Sequence, residues 1–265
     1  QMHATGYDAI ILEDISDKPV YLEISDSKVS FHNASHLWGK DTYETEDSVL
    51  AEVNLPKAQA IVIGPAGENL VRFACIENNY WRSAGRTGVG AVMGSKNVKA
   101  IVFHGNQKVD IAHPELLQEL VKEMVANAKD NPGVKGYQKY GTTQMVRVMN
   151  NAKSFPTRYW SEGSFPEWEK ISGDTLLEDF EVRNTPCPKC FMACAKRTTV
   201  KEGPHQGVTI EGPEYETLYV FGGLCCINKL DEIVYLNDLC DRLGLDTMSG
   251  GNLIGLVMEA NERKR

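Results

Sequence analysis

The stretch Cys187-Pro-Lys-Cys190-Phe-Met-Ala-Cys194 limits what this chain can fold into more than any other. Three thiolates spaced three and four positions apart can close around one metal centre. Soft, charged sulfur selects zinc, copper(I) or iron–sulfur. Pro186 and Pro188 flank the first cysteine and deny this stretch a regular helix, so a turning loop is expected. Iron–sulfur cubanes and structural zinc sites take four protein ligands. The motif offers three, so the fourth comes from elsewhere or the position stays open.

The rest of the composition sets the surroundings of that loop. At 265 residues the chain is long enough for two domains, and 42% hydrophobic with 24% charged residues is ordinary for a globular protein. A formal net charge of −8 argues against a nucleic-acid or anionic-membrane partner. No apolar run approaches the ~18 residues of a membrane span. Seven cysteines are too few for a disulfide scaffold, and an odd number leaves one unpaired. Cys75, Cys225, Cys226 and Cys240 sit in apolar contexts and are expected as small buried hydrophobes. A reducing, cytoplasmic compartment follows. The chain starts at Gln1 just ahead of strand-like sequence, and Glu262-Arg-Lys-Arg265 stops inside a helical pattern, so both ends read as cut.

Periodicity divides the chain into an α+β fold. Ala9–Leu12 reads as a buried strand, and residues 20–24 and 28–32 alternate as a hairpin with its apolar face inward. A helix capped by Asp41 or Thr42 runs to about Val53, and strands follow at residues 60–63 and 98–103. The texture changes at residues 108–112. We therefore expect a β-rich α+β domain over residues 1–110 and a multihelical domain over 111–265. Helices are expected at 113–128, 142–151, 231–243 and from about Met248, with Gly244 ending the third of these in a left-handed turn.

Three further stretches carry chemistry. Between Arg82 and Lys96, four glycines expose backbone N–H groups while Arg82, Arg86 and Lys96 add cationic donors suited to phosphate. The alternative is a tight loop whose glycines serve turn geometry alone. No Walker sequence is present, and the strand-first, helix-after setting of a dinucleotide fold is not expected. Glu211, Glu214 and Glu216 either share a proton through like-charge coupling or start a solvated helix. Asp246 is a good helix N-cap, whereas Asp241 lies where an acid is electrostatically disfavoured, in the last turn of a helix.

Taken in order, Gly6–Ile10, Ala34–Gly39, Ile63–Asn69, Ala84–Lys96, the three cysteines, Pro213–Thr217 and Asp241–Asp246 resemble the aldehyde:ferredoxin oxidoreductases. These enzymes carry tungsten, or molybdenum in some relatives, on a bis-pyranopterin beside a 4Fe-4S cluster. The resemblance implies that Cys187, Cys190 and Cys194 ligate the cubane, the fourth cysteine belonging to a downstream domain. Asp241, Gly244, Leu245 and Asp246 match the first pterin-binding motif. Arg82, Ser83, Gly85 and Arg86 match the loop around the pterin phosphates and their bridging magnesium. Glu216 matches the glutamate that handles protons during aldehyde oxidation, and a histidine partner would lie beyond Arg265. Both domains are then partial.

Two departures qualify the match. Thr87-Gly88 replaces the family's Gly-Gly, and Ile233-Val-Tyr235-Leu-Asn-Asp238 lacks the glutamate of an intersubunit metal site found in some members. The implied activity is oxidation of aldehydes to carboxylic acids with electrons passed to ferredoxin. The resemblance also implies either a homo-oligomer or a complementary subunit that supplies the missing domains. Two rivals are a benzoyl-CoA-reductase-like enzyme of the same family and a non-catalytic metal-binding module.

Overall fold

The computed structural model describes residues Met2–Arg263. They form an α+β structure of two compact units, Gln1–Ile111 with Leu239–Asp246, and Ala112–Asp238 with Thr247–Arg265. Among the described residues no helix is long and apolar enough to cross a membrane.

The first unit is built on a mixed sheet of β1 (Val20–Ile24), β2 (Val29–Asn33), β3 (Gln59–Val62), β4 (Ile76–Asn78), β5 (Arg82–Ala84) and β6 (Val98–Phe103). The order is β2-β1-β6-β3-β4-β5, with β1 and β6 parallel and every other pair antiparallel. Successive strand residues point to opposite faces, so two cores form. Tyr21, Val62 and Ala100 pack on one face with Leu37 and with Val49 of helix α1 (Thr42–Val53), and Leu22, Ile63 and Ile101 pack on the other with Met93. Asp41 caps α1, its side chain accepting from the Glu44 N–H at 2.8 Å. Helices α2 (Pro65–Glu68) and α3 (Val89–Ser95) complete the unit.

Two sequence expectations fail here. Ala9–Leu12 is not a strand, and Ile11 is 83% exposed. The β1–β2 hairpin forms, but β2 turns Val29 and Phe31 outward. The inward position goes to His32, whose ring stacks on Tyr21 at 4.6 Å and whose Nε2 meets Glu23 at 2.9 Å. A satisfied histidine therefore takes the face that alternation alone assigns to the apolar residues.

The second unit opens with α4 (Pro114–Ala128) and α5 (Pro132–Tyr140). It continues through α6 (Gln144–Asn151), α7 (Gly173–Asp179) and the antiparallel sheet β7 (Glu181–Asn184), β8 (Lys196–Thr199), β9 (Thr209–Glu211). Helix α8 (Tyr215–Thr217) runs on as a π-helix over Leu218–Leu224, followed by α9 (Leu230–Leu243) and α10 (Thr247–Glu262). Phe155, Ile171, Leu176, Phe221, Leu224 and Ile233 are among its largest buried side chains. Helix α4 has the expected apolar stripe, yet none of its residues is buried. Cys225 is buried as expected, whereas Cys226, with φ 58°, faces solvent.

Candidate functional site

The first unit gathers two sequence-distant motifs at one place. Helix α9 ends on Gly244, which takes φ 71°, a left-handed conformation that needs no Cβ. The chain then pairs with the stretch before β4. Cys75 N–H donates to the Gly244 carbonyl at 2.8 Å, Asp246 N–H donates to the Phe73 carbonyl at 3.1 Å, and Ala74 bridges Leu245. The Thr42 hydroxyl, opening α1, donates to the Asp241 carbonyl at 2.7 Å. Asp241 and Asp246 are thereby held buried, 7% and 8% exposed, one on each side of the turn.

The Arg82–Arg86 loop leaves β5 directly beside this turn. A Cβ placed on Gly85 would stand 3.0 Å from Cys75 Sγ and 3.9 Å from Asp246 Oδ1. Gly85 is thus the point where loop and acid-bearing turn touch. Gly88, Gly90 and Gly94 serve a different purpose: a Cβ on each would meet a backbone oxygen of Arg72, Cys75 or Gly67 at 2.3 Å or closer. Turn and packing geometry accounts for those three. Contrary to the sequence expectation, the loop has a strand before it, β5, and a helix after it, α3. Their setting is a largely antiparallel sheet.

Sequence reasoning missed Glu77, the middle residue of β4. It is fully buried, faces Ser83 across the β4–β5 ladder, and accepts from the Ser83 hydroxyl at Oε2. Its Oε1 has no hydrogen-bond partner. Burial pushes the Glu77 carboxyl up to about 7, with the Glu46 charge adding and the Ser83 bond opposing. Burial and the same acids, Glu77, Asp241 and Asp246, push the Cys75 and Cys240 thiols up to about 12. This region therefore combines buried hydrogen-bond acceptors, a glycine surface and the cationic loop residues Arg82 and Arg86. That donor and acceptor set suits a polar heterocycle carrying phosphate. A lone Glu in a short strand gave no sequence signal that it would be buried.

The second unit holds the three cysteines. They lie in a non-helical loop between β7 and β8, with Lys189 and Ala193 at positive φ and a turn in which Cys190 N–H donates to the Cys187 carbonyl at 2.9 Å. Cys187 and Cys190 are exposed, Cys194 is half-buried, and none of the three is in a disulfide. Accessible thiols on a turning loop fit an iron–sulfur centre, where each sulfur binds a different iron. A mononuclear zinc site would draw its sulfurs together around Zn–S bonds of about 2.3 Å. Among the described residues the one His/Cys/Asp/Glu set gathered within 4.8 Å is instead His205, Asp231 and Glu232. His205 Nε2 meets Glu232 Oε2 at 3.0 Å and the ring stacks on Tyr235, an ion pair that needs no metal.

The acids after β9 separate by environment. Glu214 is half-buried against Thr142, whose hydroxyl donates to its carboxylate and accepts from the Tyr215 N–H at 2.9 Å. Burial raises the Glu214 carboxyl; Thr142 opposes, and the Glu216 and Glu211 charges add. Glu216 is half-buried in α8. The raised carboxyl of Glu214 is the direction that the proton-sharing reading of this trio requires.

Family models now decide the assignment. The N-terminal domain of aldehyde ferredoxin oxidoreductase matches residues 1–105, and domains 2 and 3 of the same enzyme match residues 119–264. The chain belongs to the aldehyde ferredoxin oxidoreductase family.

Among relatives in this family, the tungsten-containing aldehyde ferredoxin oxidoreductases of Pyrococcus furiosus and Thermococcus kodakarensis are each 41% identical over 264 residues. Both alignments cover 99% of this chain and 43% of the relative. An aliphatic sulfonate oxidoreductase, WOR-like subunit, of Pyrococcus furiosus is 32% identical over 283 residues, covering 99% of this chain and 44% of that protein. The solved active site complex BamBC of benzoyl coenzyme A reductase, with 1,5-dienoyl-CoA, superposes with a TM-score of 0.81 at 28% identity. That match covers 99% of this chain and 41% of the solved one. The chain thus spans less than half the length of the aldehyde ferredoxin oxidoreductases it matches.

Proposed function

We propose that this chain is the part of a tungsten-containing aldehyde ferredoxin oxidoreductase that carries one face of the pterin site and three cluster ligands. The observation behind this is the approach of Gly85 to Asp246, which puts the Arg82–Arg86 loop beside the Asp241–Asp246 turn within one unit. Asp241 and Asp246 would accept N–H groups of a pterin, with Gly244 and Leu245 shaping the turn between them. Arg82 and Arg86 would bind its phosphates, helped by Ser83, by Gly85 and by a bridging magnesium. Bound there, a tungsten (or molybdenum) bis-pyranopterin supplies a two-electron acceptor for converting an aldehyde to a carboxylic acid.

The remaining steps fall to this chain's own residues. Glu216 takes and returns the protons of that oxidation, and half-buried Glu214 beside it disfavours a second negative charge. Cys187, Cys190 and Cys194 would hold a 4Fe-4S cluster through which electrons leave singly for ferredoxin. The fourth ligand comes from the sequence that the longer relatives have beyond this span, or from a complementary subunit. Ferredoxin as acceptor goes with a cytoplasmic enzyme.

Metal analysis with an absorption spectrum tests the assignment. Tungsten together with iron and a sulfide-to-iron charge-transfer band is expected, and zinc alone would refute it. Replacing Glu216→Gln should abolish aldehyde oxidation while leaving the metal content intact. Near-normal turnover in that variant removes Glu216 from the proton role. The structural likeness to the benzoyl coenzyme A reductase complex favours one second reading, reduction of an aromatic thioester. Turnover of a thioester with none of any aldehyde would select it.

A further inference from the structure

Lys196 opens β8 two residues after Cys194 and is 3% exposed. Its Nζ donates to three backbone carbonyls, Ala193 at 3.0 Å, Cys194 at 3.2 Å and Tyr137 at 3.2 Å. Two of these belong to the cysteine loop. The third lies in the last turn of α5, where the helix dipole is negative. The Cys194 carbonyl is also closely packed against Gly141, where a Cβ would stand 2.3 Å from it. The Lys196 carbonyl in turn accepts from Gly212 N–H at 2.7 Å, tying this residue to the strand that leads to Glu214 and Glu216.

Among the described residues no carboxylate forms an ion pair with this ammonium. Neutral carbonyls satisfy its hydrogens, and its charge is met only at longer range, by Cys194 and the Glu214 carboxylate. A buried cation with no carboxylate in direct contact is costly. A thiolate-ligated iron–sulfur cluster is an anion, and its assembly on Cys194 would add negative charge on the side of Lys196 that already feels that sulfur.

We propose that Lys196 is a positioning residue for the cluster, fixing Cys194 through that residue's own carbonyl and supplying a fixed positive charge that raises the cluster's reduction potential. The inference rests on the cluster assignment proposed above. Reduction adds one electron to the cluster and neither makes nor breaks a bond, so the reduced form carries one more negative charge. A nearby cation stabilises that form over the oxidised one, and net charge and hydrogen bonding are among the factors that set such potentials.

The test is a dithionite titration of the full-length holoenzyme followed by electron paramagnetic resonance, with iron and acid-labile sulfide measured per chain. Lys196→Met should keep its iron and show about a tenfold lower ratio of reduced to oxidised cluster at a given potential, equivalent to about 59 mV. Lys196→Arg should stay near the wild-type midpoint. An unchanged midpoint in iron-replete Lys196→Met overturns the proposal. If the Met variant loses its cluster, Lys196→Arg decides: iron retained there supports a charge requirement, and iron lost there too overturns it in favour of side-chain shape. A wild-type enzyme without an iron–sulfur signal is a separate failure, that of the cluster assignment itself.

Discussion

Ser83 Oγ donates to Glu77 Oε2 at 2.6 Å, so the hydroxyl beside the first arginine of the loop is held by a fully buried acid. The folded state raises the Glu77 carboxyl from 4.5 to about 7, which means that it favours the protonated form. Its contribution to stability is then complete below about pH 4.5 and is lost as pH rises through about 7. The loss amounts to roughly 3 kcal/mol. Urea unfolding of wild type and Glu77→Gln across this range should give a difference that grows with pH in favour of the variant. A difference that stays flat from pH 4 to 8 would sink the assignment.

Gly85 and Gly88 should respond differently to alanine. At Gly85 the new methyl meets a thiol and a carboxylate at the contact between loop and turn. Overpacking of this kind costs about 1–3 kcal/mol. The main expected loss in Gly85→Ala is pterin content, measured by fluorescence of the oxidised, released pterin. Gly88 combines φ 75° with a Cβ position 2.3 Å from the Arg72 carbonyl, so Gly88→Ala should lower the melting temperature more. The reverse order would mean that Gly85 is only a packing residue.

Lys99 and Glu68 form an ion pair inside the first unit, with side chains 0% and 4% exposed. Lys99 also donates to the Lys40 carbonyl at 2.9 Å, and Glu68 accepts from the Gly39 N–H. Removing one partner strands the other, so Lys99→Met should cost about 3–5 kcal/mol by denaturant unfolding. Combining it with Glu68→Gln should recover part of that loss. Strictly additive single and double variants would show that the two charges are not coupled.

The cysteines should sort by accessibility. In protein stripped of metal, a maleimide should label exposed Cys187, Cys190 and Cys226 quickly. Buried Cys75 and Cys240, with thiols pushed up to about 12, should react only on unfolding. Reconstitution with iron and sulfide should protect Cys187 and Cys190 but not Cys226. Peptide mapping by mass spectrometry reads all of these sites, and unprotected Cys187 in an iron-loaded sample would exclude it as a ligand.

What the sequence revealed and what it hid follow from how far each signal reaches. Local signals were legible: the Asp41 cap, the left-handed Gly244, the central strand Val98–Phe103 and the exposed cysteine loop all depend on neighbours a few residues away. Side chains whose character comes from distant packing were not. Glu77 reads as a surface acid until β5 covers it, and Lys196 as a surface base until α5 closes on its ammonium. The outward turn of Phe31 has the same origin, because His32 gains Tyr21 and Glu23 only once β1 is in place.

The return of Leu239–Asp246 to the first unit has a consequence during synthesis. The Arg82–Arg86 loop leaves the ribosome early, but the turn carrying Asp241 and Asp246 follows only after all of Ala112–Asp238. Contacts this far apart in sequence form late, because a long loop must close before they repay its entropy. The acid-bearing wall of the first unit is therefore open while the cysteine loop is already made. The loop and the turn face each other only in the last stage of folding of the first unit, when its discontinuous segment docks.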